Sequence, residues 1–286
     1  MVVKQVLLAV LAHPDDETFS MGGTLALYAR RGAEVHLVCA TRGEAGEADA
    51  EYLRGYDSVA ELREAELHCA AQALGLTGVH LLDYRDSGMP GSADNRHPQA
   101  LINAPQSELV GHLVRCMREI KPQVVLTFDP IGGYRHPDHI CLQQATVKAF
   151  YAAGDPAAFP ESLPAFSPQK LYFNTISRTA MRWIVRLMPL IGRDPSKFGR
   201  NGDIDMKAIA SVSFPTHARI NYSEVAPARL AASQCHASQG GGQTNKGVAG
   251  LLRGWASSTE TYMMAYPQPT AGHIEKDLFE GVKLDA

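Results

Sequence analysis

This chain of 286 residues lacks most of the features that place a sequence in a special class. Its five cysteines, Cys39, Cys69, Cys116, Cys141 and Cys235, are odd in number, scattered and never in a CxxC pair. That excludes a structural zinc ribbon and offers no disulfide framework. We therefore expect mostly buried thiols in a reducing, cytoplasmic compartment. Basic charge is not in excess: 27 Lys and Arg against 30 Asp and Glu leave a formal charge of -3, which argues against a general nucleic-acid binder. No apolar run reaches membrane-spanning length. The first, residues 6–12, runs straight into Asp15-Asp16-Glu17, and Pro189 interrupts the later run between Leu187 and Ile191. A nucleotide-binding GxGxxG is missing after the first apolar run, where acids stand instead of phosphate-cradling glycines. No internal repeat is present.

What remains is ordinary globular composition, 45% hydrophobic and 20% charged, on a chain long enough to bury a full core. Strand-like and helix-like segments alternate. Residues 6–12, 34–40, 79–82, 123–128 and 170–176 read as strands, and 20–31, 59–74, 107–120 and 139–151 as helices. Gly32 and Gly75 stop two of the helices. The alternation predicts an α/β fold, a Rossmann-like mostly parallel sheet with helices on both faces. After about residue 155 the pattern is less regular, with Pro156, Pro160, Pro164 and Pro168 and then Gly240-Gly241-Gly242. We read that part as loops, a few helices and a small sheet beside the main body. No clean linker divides the chain, so a single domain over 1–286 is expected, with a core over about 1–180 and a substrate-side region over about 181–286.

Two short motifs carry the chemistry: His13-Pro14-Asp15-Asp16-Glu17 and His136-Pro137-Asp138-His139. Each follows a predicted strand, and ligands in such sheets bind beyond the carboxyl ends of strands. His13, Asp16 and His139 offer two imidazoles and a carboxylate, an open ligand set for catalytic zinc. The same set suits non-haem iron(II), so ligand type leaves the metal open. Asp15 beside it is the candidate general base. Asp138 is placed to orient His136 and raise its pKa, making His136 an acid or oxyanion-stabilising group. Either motif alone reads equally well as a turn in which Pro fixes the backbone and Asp138 caps the next helix. Glu17 reads as a partner of a ligand or as a first-turn acid favoured by the helix dipole.

In these two motifs the chain resembles the LmbE-like, or PIG-L, family of zinc-dependent N-deacetylases. The resemblance implies a Rossmann-like fold and hydrolysis of an N-acetyl group on a glucosamine-type sugar. It assigns zinc to His13, Asp16 and His139, the base to Asp15, and the acid or electrostatic role to His136 with Asp138. It further implies that Arg63, in Arg63-Glu64-Ala65-Glu66-Leu67, and Asp86, in Arg85-Asp86-Ser87-Gly88-Met89, contact the sugar, and that Tyr134 touches the carbonyl oxygen. Cys235-His236-Ala237-Ser238-Gln239 is also similar to a family segment, with His236 either at the pocket or structural.

The expected activity is therefore removal of acetyl from an N-acetylglucosamine-like substrate, such as glucosaminyl-inositol. The alternative is an amidase that cleaves a larger acyl group, such as a thiol conjugate. Zn2+ is the expected cofactor, with Fe2+ suited to the same ligands. As partners we expect a small-molecule N-acylated amino sugar, no nucleic acid and no membrane segment; a homo-oligomer stays open.

Overall fold

The computed structural model describes residues 4–175, 178–197, 205–242 and 258–284. Seven strands form one sheet: β1 (Val6–Leu11), β2 (Glu34–Thr41), β3 (Gly78–Tyr84), β4 (Val124–Thr127), β5 (Lys170–Thr175), β6 (Ala218–Asn221) and β7 (Thr259–Tyr266). Their spatial order is β3-β2-β1-β4-β5-β7-β6. The first five are parallel, and β7 and β6 add antiparallel. β1 and β4 are buried along their whole length, which explains their unbroken apolar runs. The predicted fifth strand ended at Ile176, which lies outside the described residues.

The helices are α1 (Asp16–Arg30), α2 (Val59–Leu74), α3 (Gln106–Ile120), α4 (Gly132–Arg135), α5 (Pro137–Ala153), α6 (Arg178–Leu187), α7 (Met206–Ser211) and α8 (Ala226–Cys235). α3 packs against α5 in one layer, while α1 and α2 pack against α8 in the other. Local chemistry sets α2 to its predicted ends. The Ser58 side chain accepts the Glu61 N–H, and Gly75 adopts φ 76 just past the last turn. None of the described helices is long and apolar enough to cross a membrane.

Two expectations change, and one loop gains an anchor. Among the described residues the C-terminal region builds no separate small sheet; β7 pairs with β5 and carries β6, extending the main sheet. The proline-rich stretch after α5 is held by buried Arg118, whose guanidinium donates to six carbonyls, including Ala153, Asp155 and Ala158. And Cys69 is disulfide-bonded to Cys235, whereas Cys39, Cys116 and Cys141 are free. The pair is 166 residues apart in sequence and meets only because α2 packs on α8, with Cα atoms 5.7 Å apart; spacing alone carries no trace of it.

The strand order reverses between β1 and β4. At such a switch point the loops leaving the two strands part to opposite sides and open a crevice. The first motif leaves β1 and the second follows β4, so topology brings together residues more than 120 positions apart.

Candidate metal centre and active-site cleft

α1 begins at Asp16, earlier than its periodicity indicated, and makes Asp15 its N-terminal cap residue. Asp15 has φ 114, a conformation that costs a non-glycine residue on the order of 1–3 kcal/mol. Asp16 then falls in the first helical turn, and its Oδ2 accepts the His13 N–H at 2.9 Å. In the second motif the capping group is His136, not Asp138: His136 Nδ1 accepts the Asp138 N–H at 3.2 Å. Pro137 occupies the first helical position, where a missing N–H costs nothing.

These loops focus three donor atoms on one point. His139 Nε2 lies 3.2 Å from His13 Nδ1 and 3.3 Å from Asp16 Oδ2. His13 Nδ1 lies 3.5 Å from Asp16 Oδ2. A tetrahedral zinc with bonds of about 2.0–2.1 Å has ligand–ligand edges of roughly 3.3 Å. The donor set therefore fits such an ion. The remaining ring nitrogens fix the tautomers. His13 Nε2 faces Asp138 Oδ2 at 3.1 Å, and His139 Nδ1 faces the Gly132 carbonyl at 3.2 Å. Each ring thus donates its far N–H and turns a lone pair inward, as metal-binding histidines do.

Two overlapping groups have metal-binding potential: His13, His136 and His139, and His13, Asp86, His136 and Asp138. His136 does not qualify as a ligand in this geometry. Its Nδ1 is an acceptor for the Asp138 amide, so Nε2 carries the hydrogen.

The expected Asp138–His136 pairing is not found. Asp138 spends its carboxylate on His13 and on Ser87, whose N–H and hydroxyl both donate to it. The predicted direction for His136 is also reversed. Burial, then the neighbouring His13 and His139 rings, push it down to about 2, so it is a neutral donor.

Buried carboxylates crowd the imidazoles. Burial pulls His13 down, but Asp86, Asp138 and Asp16 together raise it well above its ordinary value. Burial works to raise Asp16, but His139 and His13 hold its carboxyl well below the usual range. Asp86, 3.4 Å from His13 Nε2, is likewise pushed up by burial yet held well below its usual range, chiefly by His13. Its Oδ1 accepts the Gly88 N–H.

Asp15 behaves differently. Burial pushes it up to about 6, against the pull of Arg63. Arg63 is buried and donates to Asp15 Oδ2 at 3.0 Å and to the Pro14 and Gly43 carbonyls. The arginine expected to touch sugar is thus engaged with the candidate base. Gly43, at φ 69, makes room for it: a Cβ there would sit 2.0 Å from Arg63 Nη1.

Two cavities, of about 810 and 550 Å³, open on either side of Asp15, Tyr134 and Gln239, which line both. The smaller adds His13, Arg63, Asp86 and His136. The larger adds Asp16, His139, Asn174, Arg219, Arg229 and Thr261. Tyr134 is half-buried with its ring 5.0 Å from that of His139. Burial raises its pKa, so it stays a hydroxyl. Eight of the nine residues singled out from the sequence thus line these cavities, and the ninth, Asp138, is buried behind them against His13. Glu17 lies in the first turn of α1 and does not meet a proposed ligand: its carboxylate contacts His236, Thr18 and the Asp15 N–H.

A mostly parallel α/β sheet thus carries, at its switch point, a His–Asp–His donor set able to hold a metal ion, beside a carboxyl raised to about 6; that is the architecture of a hydrolase site. Residues 8–150 match the PIG-L family, described as GlcNAc-PI de-N-acetylase, and the chain belongs to that family. It is 38% identical over 242 residues, 82% of each chain, to 1D-myo-inositol 2-acetamido-2-deoxy-alpha-D-glucopyranoside deacetylase of Geodermatophilus obscurus. Its fold is similar to that of N,N'-diacetylchitobiose deacetylase from Pyrococcus horikoshii, with a TM-score of 0.63, 19% identity and 94% and 88% of the two chains covered. It is also similar to the 4-carboxy-2-hydroxymuconate hydratase GalB of Pseudomonas putida KT2440, with a TM-score of 0.59, 20% identity and 94% and 99% covered. The same fold thus occurs in a protein named as a hydratase.

Proposed function

We propose that this chain is a zinc-dependent deacetylase that hydrolyses the N-acetyl group of an N-acetylglucosamine-type sugar, glucosaminyl-inositol being the favoured aglycone form. The observation that carries this reading is the triangle of His13 Nδ1, Asp16 Oδ2 and His139 Nε2, with edges of 3.2–3.5 Å, beside an ionisable Asp15. Similarity to glucosaminyl-inositol deacetylases supports the sugar.

His13, Asp16 and His139 would hold the ion, which supplies polarisation of the amide carbonyl and acidification of a water. Asp15 takes the proton from the attacking water, a task suited to a carboxyl raised to about 6. His136 Nε2–H and the Tyr134 hydroxyl donate to the carbonyl oxygen as it gains charge. The Asp15 proton then passes to the departing amine, leaving acetate and a free amino sugar. Asp86 and the Arg63 wall of the smaller cavity face the sugar. In this reading the chain is one catalytic domain. Its core of about 1–180 holds the ligands, and its region of about 181–286 lines the larger cavity with Arg219, Arg229 and Thr261.

The test is acetate release from N-acetylglucosamine, N-acetylglucosaminyl-inositol and diacetylchitobiose, using stripped protein with and without zinc. Zinc-restored release, fastest on the inositol conjugate, is expected. Asp15→Ala should keep one zinc and lose most turnover. No release from any sugar by zinc-loaded protein would overturn the reading.

A further inference from the structure

Two buried groups take no part in the steps above. Glu17 and His236 are both fully inaccessible to solvent, and His236 Nε2 lies 2.6 Å from Glu17 Oε1. Thr18 Oγ1 donates to the same oxygen at 2.6 Å. The other oxygen, Oε2, accepts the backbone N–H of Asp15 at 2.9 Å. An acid–imidazole pair is a costly filling for a buried gap, because apolar side chains would occupy the volume without desolvating polar groups. Its position suggests what that cost serves. The amide it grips belongs to the residue at φ 114, a conformation kept only where the surroundings over-determine it.

His236 arrives from 219 residues away in sequence, and its loop is tied to α2 on either side. Cys235 is bonded to Cys69. Ser238 donates its N–H and its hydroxyl to Glu66, at 2.8 and 2.7 Å. α2 also carries Arg63, which holds the Asp15 carboxylate. Two arms therefore run from one helix to one residue. Arg63 grips the Asp15 side chain directly. Glu66 and Cys69 fix the loop from 235 to 238, which presents His236 to Glu17, which grips the Asp15 amide.

We infer that Glu17 and His236 form a positioning pair for the Asp15 base, anchored to α2 through Ser238 and the Cys69–Cys235 link. Neither residue touches substrate in this arrangement; both act through the backbone of Asp15. The inference rests on the reading of Asp15 as the base, and its test keeps the two separable.

His236→Ala, His236→Gln and Glu17→Gln are compared with wild type as full-length, zinc-loaded protein. Four quantities are read: zinc per chain, thermal midpoint, kcat and KM on the preferred acetylated sugar, and hydrogen exchange of the Asp15 amide by NMR. His236→Ala should bind one zinc and keep KM, while kcat falls about 10- to 100-fold, the effect of losing one charge-assisted hydrogen bond behind a reacting group. Its Asp15 amide should exchange about tenfold faster or more as the local clamp opens. In His236→Gln an amide N–H still reaches Glu17, and most of kcat should return. Full kcat in His236→Ala, or a loss matching the lost zinc or folded fraction, overturns the inference. Should His236→Ala not fold, Glu17→Gln decides, because it keeps an acceptor for only some of the three donors; unchanged kcat and Asp15 exchange there overturn it equally. If wild type releases no acetate, the deacetylase reading fails, while Asp15 exchange still tests the clamp.

Discussion

Gly43 offers a sharp test of how the base is held. Gly43→Ala adds one methyl group, 2.0 Å from Arg63 Nη1, 2.4 Å from Cζ and 2.9 Å from Nε. No rotation of the guanidinium about its own axis relieves all three contacts, so Arg63 must withdraw from Asp15 and from the Pro14 and Gly43 carbonyls. A charge-assisted hydrogen bond in such a setting is worth about 1.5–3 kcal/mol, and each 1.36 kcal/mol is about tenfold in rate. The expected fall in kcat is therefore about 10- to 100-fold, with zinc stoichiometry unchanged because no ligand moves. The substitution also forces alanine into the left-handed region at φ 69, which costs roughly 1–2 kcal/mol of stability. Gly32→Ala isolates that second effect. Gly32 has φ 88, and an added Cβ would meet nothing within 4 Å. Both variants should melt a few degrees lower, by about 2–4 °C per kcal/mol, but only Gly43→Ala should lose turnover. Steady-state kinetics and metal analysis on the pair decide the matter. Activity in Gly43→Ala equal to that of Gly32→Ala would refute the claim that Arg63 matters through Asp15.

Two further outcomes follow from the same geometry. Asp138→Asn keeps the side chain's shape but places an N–H where His13 Nε2 or Ser87 now donates, so zinc affinity measured by chelator competition should fall about 10- to 100-fold; unchanged affinity would remove Asp138 from the support of His13. Away from the site, half-buried His36 lies 3.3 Å from His80 of β3, with Glu34 on its own strand as the facing acid. Burial and then His80 lower its pKa, so between the folded and unfolded values the unfolded chain binds more protons and stability rises with pH. On acidification from about pH 7.5 to 5.5 wild type should therefore lose more of its thermal midpoint than His36→Gln, and equal losses would show that the pair does not titrate in that window.

Most of the parallel half of the fold was legible because it is written locally. Unbroken apolar runs mark β1 and β4, and Ser58 and Gly75 bracket α2. β6 and β7 were not legible for a physical reason. β6 is only 4 residues long, and in β7 the buried face includes Glu260 while Met263 and Ala265 stand on the open face, so apolar and polar residues do not alternate in the sequence; β7 is held by β5, and β6 by β7. The site divides the same way. Both motifs announce a metal, but which oxygen faces which imidazole depends on the angle at which two loops meet. That angle turns the Asp138 carboxylate toward His13, 125 residues away, and leaves His136 to cap α5. The Cys69–Cys235 bond and the Glu17–His236 contact exist only because α8 lies across α1 and α2, a tertiary fact with no sequence period behind it.

The corrected pairing explains why each motif needs its own acid beside its histidine. Were Asp138 to serve His136, the two motifs would be independent units, each orienting its own ring. Instead the second motif's carboxylate fixes the tautomer of the first motif's ligand, while the second motif's His139 completes the donor triangle with Asp16 of the first. His136, its Nδ1 taken by the Asp138 N–H and its pKa pushed down by burial and by the His13 and His139 rings, stays neutral, and in the proposed mechanism offers its Nε2–H to a developing oxyanion. A protonated His136 would repel the same cation that His13 and His139 gather around. Reassigning one carboxylate thus makes His136 a neutral donor rather than a charged acid, and in the proposed mechanism the proton from water to amine falls to Asp15, raised by burial and gripped at both carboxylate and amide.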